Sequence, residues 1–408
     1  MFEFFLNDRE KAYWKEVRDF VKNDISTQLI KDMDAGKIET GRPLVEKAGG
    51  KNLLGARFPS LYGGRNLNWT AEVAAVEEVG VLGTSLSCAF VMPSIVGEAI
   101  NLFGTEALKE KYLKPTNQGR LYSAEALTEP RGGSDFFGAT TTATRSGDHF
   151  VLNGEKRFVV GAQDSDYFLV YAKSAPDAPP HESISCFVVE RAMGVKVQSI
   201  YNLLGTRGGG TGRLVFKDVR VPAENVIGKL HGAYQIFNRM MVPERLLSGA
   251  GAVGMGKAAI DVAARYSTRR KAFGATINNF QAVSFMLADS VASLDAARAL
   301  VFAAAKLVDT GADGRRLVSE AKKVGTEAAW QAINNSMQMM GGIGYTSVYP
   351  IERFLRDCRL AMIWTGTNQI MNLLIQHEYY KELGREKGEF RDVEFDAISP
   401  DEEEKNYG

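Results

Sequence analysis

The hydrophobic pattern of this 408-residue chain changes twice, and these changes constrain its fold more than any other feature. Residues 1–120 and 231–384 repeat apolar residues at helical spacing, whereas residues 121–230 hold short apolar runs separated by turn residues. The sequence therefore predicts an α+β fold with an N-terminal helical domain, a middle β-barrel or sandwich-like domain and a C-terminal four-helix bundle. Residues 385–408 are rich in charge and predict a frayed tail.

Capping residues predict where three N-terminal helices begin. Asp and Thr side chains accept hydrogen bonds from the free N–H groups of a first helical turn. Caps are therefore expected at Asp8, Thr70 and Thr105. The helices expected from periodicity are 8–21, 71–81, 106–113, 258–269, 281–308 and 315–340.

The middle region contains runs of strand length bounded by turn residues. Asn153-Gly154 is expected to form a two-residue hairpin turn between 150–152 and 157–160, because this pair tolerates the left-handed backbone of such turns. The glycine-rich segment 205–211 is expected to be a turn between strands, since the Gly-Lys-Ser/Thr of a phosphate loop does not follow it. Other expected strands are 167–172, 185–190, 195–200 and 213–216.

Residues 249–254 match the Gly-x-Gly-x-x-Gly pattern found in dinucleotide-binding proteins. That function needs a strand before the glycines and a helix that begins at them. Here the preceding residues 239–247 have helical periodicity, which continues beyond the glycines. The pattern therefore indicates close packing between helices at small residues.

The composition disfavours several functional classes. The chain has 49 basic and 49 acidic residues, whereas nucleic-acid binding requires a basic excess or a basic face, so no nucleic-acid partner is expected. No apolar stretch is expected to span a membrane, and residues 1–11 lack the order of a signal peptide. Three separated cysteines and four histidines without metal-ligand spacing predict neither a disulfide framework nor a metal site. We expect a cytoplasmic protein.

The segment Leu-Thr-Glu-Pro-Arg-Gly-Gly-Ser-Asp at 127–135 resembles the flavin-contacting segment of the acyl-CoA dehydrogenases. In that family, Thr-Glu-Pro precedes Gly-Ser-Asp at this spacing. The resemblance implies an N-terminal helical domain, a β middle and a C-terminal four-helix bundle, in agreement with the outline above. It continues in the order of the family through the segments 147–156, 216–228, 269–274, 280–281, 337–345 and 349–357.

The resemblance implies an FAD cofactor. An isoalloxazine ring has polar edges and apolar faces, so it needs hydrogen-bonding groups around it and a wall to pack against. Thr128 would bond near its pyrimidine edge and Ser134 near the pyrophosphate, although both residue types also commonly cap turns. Phe158 takes the position of a tryptophan that packs on the flavin, and Val160 that of a Thr or Ser, so only backbone donation remains there. The resemblance implies cofactor contacts from Leu127, Thr128, Gly133, Ser134, Phe158, Val160, Phe280, Gln281, Met339, Thr367 and Gln369.

In the family, the adenine half of FAD also contacts a neighbouring subunit. By resemblance, Arg270 and Phe273 would reach a partner chain, together with Gln338, Gly341 and Gly342. Arg270 would supply positive charge to the pyrophosphate, and the glycines would allow close backbone approach. Without the resemblance, Arg270 is a solvated charge at a helix end and the glycines end a helix. A shared cofactor implies a homotetramer arranged as a dimer of dimers.

The reaction of the family removes an α-proton from an acyl thioester, which requires a carboxylate in apolar surroundings. Many members place this glutamate immediately before a Gly-Thr pair, where this chain has Thr365. The isovaleryl-CoA and long-chain branches instead place it before an arginine on another helix, and Glu244 precedes Arg245 here. On their own, Glu244 and Arg245 would suggest a surface pair at a helix start. The loss at Thr365 and the gain at Glu244 together favour Glu244 as the base.

The resemblance also implies how the substrate is held. The backbone N–H of Thr365 would polarise the thioester oxygen. We expect FAD-dependent dehydrogenation of an acyl-CoA with a branched or substituted chain to a 2,3-enoyl-CoA, and electron transfer to an electron-transfer flavoprotein. Two alternatives remain open: an acyl group on a carrier protein, or a non-catalytic flavin-binding assembly protein. The residues expected at the substrate are Ser134, Val242, Arg245 and Gly366.

Overall fold

The computed structural model of the chain describes residues 2–385, 391 and 393–396. Apart from Arg385, Arg391 and a short helical turn at Val393–Asp396, the tail expected at 385–408 lies outside the described residues. The rest of the chain follows the predicted order of helices, strands and helices.

Helices form the first part of the fold, and Thr105 caps one of them as predicted, accepting a hydrogen bond from the N–H of Leu108. The helix expected over 106–113 continues through a π-helical turn at Lys109–Leu113. The N-terminal helices are α1 (Asp8–Asn23), α2 (Thr27–Asp34), α3 (Arg42–Gly50), α4 (Trp69–Gly80), α5 (Thr84–Phe103), α6 (Glu106–Leu108) and α7 (Lys114–Asn117).

The other two predicted caps are wrong by one and two residues. Asn7, not Asp8, caps α1, because its side chain accepts from the N–H of Glu10 while the Glu10 carboxylate binds the N–H of Asn7. Asn68, not Thr70, caps α4. The hydroxyl of Thr70 donates instead to the Asp309 carboxylate, at 2.6 Å.

The middle of the chain forms one sheet. Its strands are β1 (Ser123–Ala126), β2 (Thr142–Ser146), β3 (His149–Val159), β4 (Tyr167–Lys173), β5 (Ile184–Glu190), β6 (Lys196–Ile200), β7 (Gly212–Pro222) and β8 (Val226–Ile227). Their order in the sheet is β6-β7-β3-β2-β4-β5-β8, and β1 pairs in parallel with β4. The segment 205–211 is a turn that connects β6 to β7, as predicted.

The hairpin turn predicted at Asn153-Gly154 is wrong, because β3 runs straight through this pair. The turn lies earlier, where Ser146 pairs with His149 and Gly147 adopts a φ of +64°. Gly154 instead lies at an irregularity in the pairing of β3 with β7. A side chain there would come within 2.6 Å of the Thr141 backbone, so the glycine serves a close approach between strands.

Long helices form the C-terminal part of the fold. Arg315–Met340 forms the helix predicted at 315–340, whereas the helix expected over 258–269 begins much earlier, at Ala233, and contains Pro243. A small hairpin, β9 (Lys271–Ala272) and β10 (Ala275–Thr276), follows the helix that begins at Ala233. The C-terminal helices are α8 (Ala233–Ser267), α9 (Gln281–Asp309), α10 (Arg315–Met340), α11 (Ile351–Ala361) and α12 (Asn368–Arg385).

The glycine pattern at 249–254 lies inside α8 and packs this helix closely on α4. A Cβ atom on Gly254 would lie 2.0 Å from the carbonyl oxygen of Glu77. A Cβ atom on Gly80 of α4 would lie 2.3 Å from the carbonyl oxygen of Gly251. The prediction of close helix packing is therefore confirmed.

Two helices, α5 and α8, bear on the prediction that no apolar stretch spans a membrane. Both helices are long and apolar enough by composition alone. Their apolar windows are 83% and 72% buried inside the protein. Core helices of large folds pass the same test, and these two form the central walls of the site described next.

Candidate active site

A cavity of about 580 Å³ lies where α5, β1, α8 and the loop 362–367 meet. Its wall joins three parts of the chain that are far apart in sequence: the segment after β1, the middle of α8 and the loop before α12. One part of the wall is apolar and comes from α5 and α8, with Val91, Met92, Ile95, Phe237 and Met241. A second part is more polar and comes from the β domain, with Thr128, Ser134, Arg157, Phe158 and Thr211.

Glu244 lies in this cavity, one helical turn beyond Met241 and Met240 on α8. Burial raises the pKa of its carboxyl well above the usual value, and the charge and hydrogen bond of Glu125 raise it further. The neighbouring Arg245 acts in the opposite direction. Glu244 is therefore a desolvated carboxyl inside a cavity, and the surface-pair interpretation does not describe it.

Thr365 lies in the same cavity wall, in a loop held by two buried cations. Its backbone adopts a φ of +53°, followed by Gly366 at +87°. The Nε atom of Arg245 donates to the Thr365 carbonyl oxygen at 3.3 Å. Lys322 donates to the Gly366 carbonyl oxygen and to the Asn368 side chain, both at 2.8 Å. Arg245, the residue that follows Glu244, therefore joins α8 directly to this loop.

The backbone N–H of Thr365 donates to no acceptor in the part of the chain that the structure describes. Its hydroxyl is also buried without a partner there. A buried N–H group is rarely left unpaired, because the cost approaches that of a lost hydrogen bond. An oxygen atom of a bound molecule can satisfy this donor.

The segment after β1 is fixed by a buried ion pair. Lys156 of β3 lies 2.8 Å from the carboxylate of Glu129, and it also donates to the Leu127 carbonyl oxygen at 3.0 Å. Glu129 accepts further bonds from the N–H groups of Thr140 and Thr141. Although burial alone would raise it, Lys156 and these donors lower the pKa of Glu129 to about 2. The glutamate of the Thr-Glu-Pro motif therefore shapes the segment that carries Thr128 and Ser134.

Phe158 and Val160 both line the cavity from the end of β3. Phe158 has a φ of +57° and remains 50% exposed, whereas its neighbour Val159 is buried. The Phe158 ring therefore contributes an apolar face to the cavity, next to the ring of Tyr201 at 5.0 Å. Val160 adds an aliphatic wall and no side-chain hydrogen-bonding group.

The cavity brings together many, but not all, of the residues predicted for the site. Val242 packs against the core and is not part of the wall, although Glu244 and Arg245 are. Gln369 is exposed on α12 outside the wall, and Met339 is buried in the core of the bundle, which leaves only its backbone for a cofactor. The predicted residues in the wall are Leu127, Thr128, Gly133, Ser134, Phe158, Val160, Glu244, Arg245, Thr365, Gly366 and Thr367.

The residues predicted to reach a partner chain lie away from this cavity. Phe273 is 94% exposed at the tip of the β9–β10 hairpin, where its ring meets only that of Phe280 among the described residues. Phe280 itself is half-buried. All five residues predicted to reach a partner chain are exposed, and Gln281 is exposed as well; the five are Arg270, Phe273, Gln338, Gly341 and Gly342.

Sequence reasoning missed several residues of the wall. Arg157 and Thr211 contribute buried polar atoms, Nε and Oγ1, that have no partner among the described residues. Glu125 places a second carboxyl beside Glu244. A signal for Glu125 was present, since it is a charged residue in the short apolar strand that precedes the Thr-Glu-Pro motif.

Three family models match the chain: the N-terminal domain of acyl-CoA dehydrogenase at residues 7–120, the middle domain at 124–219 and the C-terminal domain at 231–379. The chain belongs to the acyl-CoA dehydrogenase family. The matched residues cover its helical, β and helical parts in turn, so the predicted fold is confirmed. The family also identifies this chain as a flavoprotein oxidoreductase.

Individual relatives of the chain match over nearly their whole length. It is 32% identical over 373 residues to the caffeyl-CoA reductase-Etf complex subunit CarC of Acetobacterium woodii, covering 91% of this chain and 98% of that protein. The structure of butyryl-CoA dehydrogenase from Megasphaera elsdenii has a TM-score of 0.88 at 30% identity and covers 92% and 99% of the two chains. The FAD complex of PigA has a TM-score of 0.87 at 26% identity, covering 92% and 99%.

FAD is the cofactor of this chain, as of its family, and the cavity fits it. The polar edge of an isoalloxazine requires hydrogen-bonding partners, and Arg157, Thr211 and Thr365 each present a buried polar atom without a partner in the described chain. The ring faces require apolar contacts, which Phe158 and Val160 offer in the same wall. The predicted cofactor is therefore confirmed, and the donors and apolar surfaces present match its chemistry.

Proposed function

We propose that this protein dehydrogenates an acyl-CoA thioester at its α and β carbons to the 2,3-enoyl-CoA, with Glu244 as the base. The observation that carries this proposal is the position of the Glu244 carboxyl in the same cavity as the unengaged N–H of Thr365. Such a pair can remove an α-proton and stabilise the negative charge that develops on the thioester oxygen.

The surroundings of Glu244 suit the removal of a weakly acidic proton. Met241 and Phe237 belong to the same cavity wall, and Phe237 stacks on the ring of Phe136 at 4.0 Å. These apolar groups keep water from the carboxyl, which raises its basicity. Glu244 thus takes the role of the catalytic glutamate that many members of the family have at the position of Thr365.

The loop around Thr365 supplies the counterpart of the base. Burial and the nearby charge of Arg245 lower the pKa of Lys322 to about 7, and burial and Arg315 lower that of Arg245 to about 10. Arg245 donates to the Thr365 carbonyl oxygen and Lys322 to that of Gly366. They fix the direction of the Thr365 N–H, so that it can meet the thioester oxygen as charge develops.

Bound FAD supplies the acceptor for the β-hydride. Thr128 and Ser134 would hold its polar parts through their hydroxyls, and Thr211 would form a hydrogen bond with a polar group at the edge of the ring. Phe158 and Val160 would pack against the faces of the ring. Leu127, Gly133 and Thr367 complete this part of the wall. Ser134 and Gly366 would also contact the substrate.

We further propose that the adenine half of FAD is shared with a second copy of the chain in a homotetramer. The support is the exposure of Phe273, an apolar ring at a hairpin tip, together with that of Arg270, Gln338, Gly341 and Gly342. A large exposed apolar ring is costly in water unless another surface covers it. Arg270 adds the positive charge that a pyrophosphate requires.

We propose a branched or substituted acyl group as substrate and an electron-transfer flavoprotein as acceptor. The position of the base on α8 supports the first, by resemblance to the isovaleryl-CoA and long-chain branches. The relative from Acetobacterium woodii supports both, since it is named for a substituted acyl-CoA and for a complex with Etf. We place the reaction in the cytoplasm.

The test is an oxygen-free titration of the FAD-loaded protein with straight, branched and cyclic acyl-CoAs, followed through the visible flavin band. We expect branched or substituted thioesters to bleach the band at the lowest concentrations. Bleaching only by an acyl group attached to a carrier protein would transfer the proposal to that substrate class. A band that no thioester bleaches would contradict the proposed reaction.

A further inference from the structure

A second carboxyl group lies against the proposed base. Glu125 is the third residue of β1 and pairs with Leu169 of β4, and its side chain lines the same cavity as Glu244. The two carboxyl groups line one cavity, and the charge of Glu125 raises the pKa of Glu244. One Glu125 oxygen, Oε1, is buried without a partner among the described residues.

The charged and titratable groups around this pair come from five elements. Lys156 lies close enough to favour the ionised form of Glu125, and Arg245 does the same for Glu244. Both cations already have other partners, namely Glu129 for Lys156 and the Thr365 carbonyl oxygen for Arg245. The groups facing the pair are Cys88 of α5, Lys156 of β3, Tyr171 of β4, Cys186 of β5 and Arg245 of α8.

We propose that Glu125 is a carboxylate partner that receives a hydrogen bond from Glu244 once Glu244 has taken the substrate's α-proton, and that Glu125 thereby strengthens Glu244 as a base. This inference rests on the function proposed above. It makes Glu125 a positioning residue, because it acts through Glu244 and not on the acyl group. Two carboxylates in contact cannot both remain ionised at low cost, so a proton placed between them is held tightly.

The proton balance of the step is complete within these residues. The Cα–H bond breaks, its proton forms an O–H bond on Glu244, and its electron pair stays with the acyl group as the β-hydride departs. The new O–H of Glu244 then donates to the carboxylate of Glu125. Burial raises the pKa of both groups, and the charge of Glu125 raises the pKa of Glu244 further, which agrees with this arrangement.

Most of the other groups around the pair do not explain a titration near neutral pH. Burial raises the pKa of Cys88, Tyr171 and Cys186 well above their usual values. Burial and Arg315 lower the pKa of Arg245, but only to about 10. Burial also lowers the pKa of Lys156, and it lowers that of Lys322, which holds the loop at Gly366, to about 7. The response of the rising limb to a change at Glu125 therefore distinguishes the carboxyl pair from Lys322.

Glu125→Gln tests the proposal in the FAD-loaded enzyme. Glutamine has almost the same size but no negative charge, and its amide can donate to the ionised form of Glu244. The pKa of Glu244 should therefore fall, so the rising limb of kcat/KM should move to lower pH by about one unit or more. At alkaline pH the variant should be slower than wild type, because its base is weaker. The two profiles should cross, which simple damage to the cavity would not produce.

The unfolding temperature gives a second measurement that needs no turnover. A carboxyl whose pKa is raised by folding contributes stability that is lost as pH rises from its unfolded value, near 4.5, through its folded value. Glu125→Gln should lose less stability over this range than wild type does. The difference between their unfolding temperatures should therefore change in favour of the variant as pH rises above about 4.5. Glu224→Gln, the same change at an exposed surface residue, should follow wild type in both measurements.

A rising limb that stays in place, or moves to higher pH, would overturn the proposal. A thioester panel that fails to bleach the wild-type flavin would defeat the proposed function instead. In that event the unfolding comparison still decides on the pair: a gain by Glu125→Gln with pH supports a proton held between Glu125 and Glu244, and parallel curves overturn it.

Discussion

Replacing Glu244 by glutamine is expected to slow reduction of the bound flavin by acyl-CoA roughly 100- to 10,000-fold, the range usual for loss of a general base. Glutamine keeps the size and hydrogen-bonding capacity of the side chain but cannot accept the α-proton. Bound FAD should be retained, because the proposed flavin contacts come from the β domain and the loop around Thr365. Rapid mixing without oxygen, followed at the flavin band, measures the rate.

The chain offers a matched rescue for this variant. Thr365 occupies the position of the catalytic glutamate in many members of the family, and it lines the same cavity as Glu244. Its φ of +53° is less strained with glutamate than with a β-branched threonine. The double variant Glu244→Gln/Thr365→Glu should therefore recover part of the lost rate. A single Glu244→Gln variant that reduces its flavin at the wild-type rate would exclude Glu244 as the base.

Replacing Lys156 by methionine is expected to lower the free energy of unfolding by about 3–5 kcal/mol, because it leaves the Glu129 charge buried without its cation. The two side chains are almost completely enclosed, at 0% and 3% exposure, so solvent does not screen their attraction. The segment carrying Thr128 and Ser134 should loosen as well, with weaker FAD binding. Chemical unfolding of the FAD-loaded protein and of the variant measures the difference.

The double variant Lys156→Met/Glu129→Gln is the control, since it removes the unpaired charge. It should recover part of the stability lost in Lys156→Met. Acid should have a related effect on wild type: folding lowers the pKa of Glu129 to about 2, so its contribution is present above the unfolded value, near 4.5, and is lost as pH falls towards 2. A Lys156→Met variant as stable as wild type would contradict this account.

The periodicity of the sequence predicted the three parts of the fold, because long helices and short strands differ in spacing over many residues. Local details depended on neighbours that spacing does not reveal. Asn153-Gly154 has the sequence of a hairpin turn, yet its glycine serves a close approach to Thr141. Similarly, Thr70 resembles a cap, yet its hydroxyl binds Asp309, which is far away in sequence.

In the functional site too, some residues can be recognised from sequence patterns and others only from their neighbours in the fold. The resemblance to a known family identified Glu244 and Thr365, because each stands at a fixed distance from a recognisable motif. Glu125 has no such motif, and its role depends on the three-dimensional meeting of β1 with α8. Lys156 and Glu129 likewise form their ion pair only when β3 lies beside the segment after β1. Sequence patterns therefore located the residues that we propose act on the substrate, and the structure added residues that surround them.

The central claim is that Glu244 removes the α-proton of an acyl thioester, and hydrogen exchange at that carbon tests it most directly. The FAD-loaded protein is incubated with a thioester that bleaches its flavin, in D₂O and without an electron acceptor, and the recovered thioester is analysed by mass and NMR. We expect deuterium at the α carbon with wild type and almost none with Glu244→Gln. Equal incorporation by both proteins would contradict the account.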